Sequence, residues 1–173
     1  MTQRNSHCGY CGHPFDAAAP WPRTCAQCGQ ISYLNPLLVA VTLVPVDDGL
    51  LVVRRGIQPG RGQLALPGGY INHDETWQAA CAREVREETG VTIDPALIRP
   101  FAVRSALHSV PDSSLLVFGL APQLRQSELP PFQLDAETLE VLILNEPTDL
   151  AFSLHTAVVE EYFRVRGALA AGA

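Results

Sequence analysis

Glu84, Glu87 and Glu88 stand at i, i+3 and i+4, a spacing that sets three carboxylates on one face wherever the chain is helical. Helix is what the segment predicts. From Thr76 to Thr89 it holds neither Pro nor Gly, includes Ala79, Ala80 and Ala82, and ends at Gly90, suited to a left-handed C-terminal cap. Three neighbouring anions repel one another unless a cation sits among them. Mg²⁺ or Mn²⁺, hard ions that take oxygen ligands and accompany substrate phosphates, are the expected counter-charge. Arg83, four residues before Glu87, is placed to orient or partly neutralise it.

A second set of chemical residues precedes the first. Cys8-Gly-Tyr-Cys11 and Cys25-Ala-Gln-Cys28 are two Cys-x2-Cys knuckles separated by thirteen residues, and Gly12 and Gly29 follow them. Four thiolates so spaced can close a tetrahedral Zn²⁺ site with no open position, which makes the expected zinc structural. The fifth cysteine, Cys81, falls inside the predicted helix and is read as a small packed thiol.

These groups need elements to hold them. Residues 1–34 form the small cysteine-bearing unit, Tyr33-Leu-Asn-Pro36 is a hinge, and 35–173 form the main domain. The Val- and Leu-rich runs 37–46 and 50–54, broken at Asp47-Asp48-Gly49, predict a hairpin. Further strands are expected near 64–66, 101–107, 114–121 and 139–144, and Pro67-Gly68-Gly69 is read as a turn. A closing helix, capped near Ser153, is expected to run to about Arg166. Strands on both sides of a central helix give a mixed α/β sandwich.

Composition narrows the class. A chain of 173 residues with 47% hydrophobic content can bury a sizeable core, and no run reaches membrane-spanning length. A net charge of −6 argues against a broad nucleic-acid-binding surface, so a polyanionic substrate must rely on local cations and metal. A cytoplasmic protein is expected.

Residues 69–91 resemble the Nudix box, G-x5-E-x7-R-E-U-x-E-E-x-G-U with U aliphatic: Gly69, Glu75, Arg83, Glu84, Val85, Glu87, Glu88, Gly90 and Val91 meet every fixed position. The resemblance implies a Nudix α/β/α sandwich with a mixed sheet, preceded by a zinc ribbon. It also implies metal-dependent hydrolysis of a nucleoside diphosphate linked to X. Glu84, Glu87 and Glu88, with the carbonyl of Gly68, are then the metal ligands. Glu75 anchors the loop and Arg83 orients a glutamate. Glu137, or secondarily Glu140, adds a late carboxylate, and Arg55 and Arg61 are phosphate contacts. The order ribbon, hinge, Nudix domain is similar to NADH, ADP-ribose and FAD pyrophosphatase-like members, whose habit of pairing implies a homodimer. Where NADH pyrophosphatases carry Ser-Gln-Pro-Trp-Pro-Phe-Pro, this chain has Arg104-Ser-Ala-Leu-His-Ser-Val-Pro111, which favours ADP-ribose- or FAD-like substrates. His108 within it is read as a solvated loop histidine. The alternative is a catalytically silent nucleotide-sensing module whose ribbon contacts a protein or nucleic acid.

Overall fold

The apolar run 37–46 does not fold as one arm of a hairpin. In the computed structural model, which describes residues 5–107, 113–132 and 135–171, it divides at Val44 into β3 (Leu37–Leu43) and β4 (Pro45–Val46), which belong to different sheets. Pro45 lacks the N–H that a continuing strand would donate, so the first ladder stops there. The Asp47-Asp48 turn therefore joins only the short β4 to β5 (Gly49–Arg55).

Two further strands complete the second sheet: β6 (Leu64–Ala65) on one side of β5, and β10 (Thr138–Leu144) on the other. The first sheet has the order β7-β3-β9-β8, with β7 at Gly68–Tyr70, β8 at Arg99–Ala106 and β9 at Ser114–Leu120. β3 runs parallel to β9 and antiparallel to β7, so this sheet is mixed as expected.

A helix covers each face. Successive residues of β3 point to opposite sides, and accordingly Ala40 packs with Cys81 and Val85 of α1 (Trp77–Thr89) while Val41 packs with Val158 and Tyr162 of α2 (Ser153–Ala171). Burial on both faces explains why β5 reads as a continuous apolar run, Leu50 to Val53, with no polar alternation. α2 passes the expected end at Arg166 because Ala168, Ala170 and Ala171 favour helix. The ribbon contributes one antiparallel pair, β1 (Arg23–Thr24) with β2 (Ile31–Ser32). Among the described residues, no helix is long and apolar enough to cross a membrane.

The Gly-Gly segment read as a turn is instead the strand β7, paired with β3 through Ala40↔Gly69 and Val41↔Gly68. A Cβ at Gly68 would collide with the backbone of Ala40 and Val41, and one at Gly69 with the Glu84 carboxylate. The glycines serve close approach here, pressing the strand between β3 and α1.

Candidate functional site

α1 begins where the Thr76 hydroxyl accepts from the Ala79 N–H at 3.1 Å and ends where Gly90, at φ 77°, donates its N–H to the Arg86 carbonyl. Within it Arg83 is the organising cation. Its Nη2 and Nε donate to the two Glu75 oxygens at 2.6 and 3.1 Å, Nη1 donates to Glu84 at 2.6 Å and to Glu87 at 3.2 Å, and Nη2 also meets the Tyr70 carbonyl at 2.9 Å. Glu75 in turn accepts from the Asn72 N–H at 2.7 Å, so this one ion pair ties the loop to the helix. Arg83 holds the Glu75 carboxyl below the usual carboxylate range.

Glu84 and Glu88 are shifted the other way. Burial pushes Glu84 up, against the pull of Arg83. Glu88 is pushed up to about 8, foremost by burial and then by the Glu84 charge, although the Gly68 N–H donates to it at 3.2 Å. Such a half-buried carboxylate is charged reluctantly without a partner, which suits it to a cation. Arg83 holds Glu84 and Glu87, and among the described residues only the four ribbon cysteines form a group of three or more metal-ligating side chains with ligand atoms all within 4.8 Å of one another.

Beside Gly68 and Gly69 opens a cleft of about 670 Å³ lined also by Arg55, Tyr70, Phe152 and His155. Arg55 is tethered by Nε to the Pro59 carbonyl at 2.8 Å, and its guanidinium lies 5.0 Å from the centre of the Phe152 ring. Its charge acts on both Glu88 and His155. Arg61 is exposed on the loop between β5 and β6 and does not line this cleft.

In the ribbon the thiols lie close together, with Cys8 Sγ 3.8 Å from Cys28 Sγ and Cys11 Sγ 3.6 Å from Cys25 Sγ. Tetrahedral Zn–S bonds of about 2.3 Å place sulfurs about 3.8 Å apart, so the spacing and the soft donor set fit zinc. The two knuckles are built alike: Gly12 donates to the Cys8 carbonyl and Gly29 to the Cys25 carbonyl, both at 2.9 Å and both glycines at positive φ. The thiol of Cys8 is lowered to about 7, foremost by the Tyr10 backbone N–H.

Residues 36–159 match the family model for the NUDIX domain. The chain belongs to the Nudix family. It is 30% identical over 132 residues to the ADP-ribose pyrophosphatase of Methanocaldococcus jannaschii, covering 76% of each protein. It is 33% identical over 92 residues to the NAD-capped RNA hydrolase NudC of Edwardsiella ictaluri, covering 53% of this chain but only 35% of that one. The crystal structure of a NUDIX hydrolase from Nitrosomonas europaea superposes with a TM-score of 0.70 at 26% identity, covering 94% of this chain and 93% of that one.

Within this Nudix fold the expected site residues are distributed unevenly. Glu88 meets Gly68 and Glu84 lies against Gly69 where α1 faces β7, while Glu87 is held by Arg83. Glu137 lies just before β10, where its carbonyl accepts from the Gly56 N–H at 2.6 Å, and its charge acts on Glu88. Glu140 is committed elsewhere, to Arg54 at 2.7 Å. His108 lies outside the described residues. Sequence reading missed His155 and Phe152, which reach the cleft from the start of α2. A lone histidine after a predicted N-cap carries no motif, and only the packing of α2 against the first sheet discloses its place.

Proposed function

We propose that this Nudix protein hydrolyses the pyrophosphate bond of a nucleoside diphosphate linked to X, with ADP-ribose- or FAD-like compounds preferred over NADH. The observation that carries the reading is the contact of Glu84 with Gly69 and of Glu88 with Gly68, two glycines that line a cleft together with Arg55. The names of the pyrophosphatase and NudC relatives support a hydrolase acting on pyrophosphate bonds, and the ADP-ribose pyrophosphatase aligns over more of its own length than the NudC protein does.

In this reading Glu84, Glu87 and Glu88 and the Gly68 carbonyl hold Mg²⁺ or Mn²⁺, a hard-oxygen set suited to either ion. When bound, the cation supplies charge neutralisation at the pyrophosphate and an acidified water. Arg83 keeps its grip on Glu75 while yielding Glu84 and Glu87, so the loop stays anchored as the carboxylates change partner. Glu137 completes the carboxylate set from the β10 side. Arg55 takes phosphate oxygens in the cleft, and Arg61 meets the part of the substrate that projects beyond it. The four ribbon cysteines hold structural zinc, and the chain pairs as a homodimer.

The test is a metal-dependent screen of ADP-ribose, FAD, NADH and nucleotide sugars. We expect Mg²⁺-dependent release of AMP with kcat/KM highest for ADP-ribose or FAD. NADH as the best substrate would overturn the preference, and no hydrolysis of any compound would overturn the activity.

A further inference from the structure

Inside the cleft, one polar side chain has no role in the metal chemistry. His155 is only 5% exposed, yet it lines the open space between β7 and the start of α2. Its ring is held on three sides: Nδ1 accepts from the Leu66 N–H at 3.3 Å, and the rings of Phe118 and Phe152 meet it edge-on at 5.7 and 5.0 Å. Because Nδ1 is an acceptor, the proton of the neutral imidazole resides on Nε2. None of the described residues pairs with Nε2, and none of their buried side-chain nitrogens or oxygens is left without a partner, so Nε2 faces the cleft.

Resting on the pyrophosphatase reading above, we propose that His155 is a substrate-contacting residue whose Nε2–H donates a hydrogen bond to a phosphate oxygen of the bound diphosphate, beside Arg55. Three features select an anion. Arg55 is close enough for its charge to act on His155, and its only described side-chain hydrogen bond runs from Nε to Pro59, which leaves its terminal nitrogens for the same phosphate. Ser153 and Leu154, in the first turn of the 19-residue α2, line the same cleft and bring the positive end of the helix to it. The imidazole itself is held neutral, its pKa lowered to about 4 by burial and then by Arg55. It therefore donates to the anion without repelling the guanidinium next to it. Pairing with the Leu66 N–H occupies Nδ1 alone and leaves the Nε2–H for a ligand in the cleft.

The test uses the full chain and two readouts. With ¹⁵N-labelled histidine, α,β-methylene-ADP is titrated in, following the histidine signal that remains neutral until pH falls toward about 4. We expect its Nε2 resonance to move to saturation along the binding curve. In parallel, H155F should raise KM for ADP-ribose about tenfold or more with kcat little changed, and H155Q, which restores an N–H near the Nε2 position, should recover most of that loss. An unmoved Nε2 resonance at saturating probe, failure of the probe to bind, or a folded H155F with parental KM overturns the proposal. If H155F does not fold, the titration of the parent decides alone. If the chain hydrolyses none of the screened compounds, the pyrophosphatase reading fails while the titration still reports whether His155 meets a diphosphate.

Discussion

The four ribbon cysteines and the three α1 glutamates are both sets of metal-ligating side chains, but the fold treats them differently. The thiols already stand within 4.8 Å of one another, on two matching knuckles fixed by backbone hydrogen bonds. The glutamates share a helix face, yet Glu84 and Glu87 are drawn to Arg83 and Glu88 to the Gly68 N–H. A ligand set assembled in advance suits an ion that stays. A set held by an internal cation suits an ion that arrives with substrate and leaves with product, because the carboxylates have a partner in each state. The comparison predicts that damage to the ribbon is read in stability and damage to α1 in turnover.

The largest effect is expected in the ribbon. Cys25→Ser should lose one zinc per chain, with structural zinc sites contributing about 10–16 kcal/mol in small peptides. Metal analysis together with proteolysis of the N-terminal segment checks this. Finding no zinc in the parent, or two mapped disulfides, would break the comparison at its ribbon end.

Next come Glu87→Gln and Glu88→Gln, expected to lower kcat roughly 10²-fold or more, about 2.7 kcal/mol of transition-state stabilisation, without unfolding. Turnover at saturating Mg²⁺ and the melting temperature in chelator are read together. Parental turnover in either variant removes that residue from the chemistry, and loss of turnover accompanied by unfolding makes its role structural.

Arg83→Ala should cost about 1–3 kcal/mol of stability by releasing the Glu75 loop and leaving Glu84 unpaired. Arg83→Lys should recover only part of it, since an ammonium cannot reproduce the two-pronged contact with Glu75. Denaturant midpoints at constant m-value check both variants. An Arg83→Ala protein as stable as its parent would show that Glu75 and Glu84 do not need this cation.

The fourth effect concerns pH. Glu88 has its folded pKa raised from 4.5 to about 8, so its protonated form favours the native state. Its contribution is present in full below about 4.5 and is lost as pH rises through about 8. In chelator the melting temperature should therefore decline across that window, and Glu88→Gln should flatten the decline. An identical slope in the variant would assign the pH dependence to other groups.

Much of this contrast was legible in the residue order. The i, i+3, i+4 glutamates, the Gly90 stop and the paired knuckles specify local geometry, and local geometry is what spacing encodes. Contacts across the chain were not legible. The strand at Gly68–Tyr70 reads as a turn because two glycines carry no apolar signal, and only β3 and Glu84 show what their missing side chains make room for. The division of 37–46 between two sheets is hidden within a uniform Val/Leu run. The choice between Glu137 and Glu140 depends on the β10 register, which places Glu140 opposite Arg54. His155 meets Leu66 across 89 positions of sequence, a separation that no periodicity bridges.

The claim that the two clusters divide permanence from turnover is tested most directly by passing the purified protein into metal-free buffer, counting bound zinc, and following ADP-ribose hydrolysis as Mg²⁺ is restored. We expect about one zinc per chain retained throughout, negligible hydrolysis before addition, and full recovery with Mg²⁺ or Mn²⁺ alone. Hydrolysis that persists without added Mg²⁺, or that returns only with zinc, would contradict it.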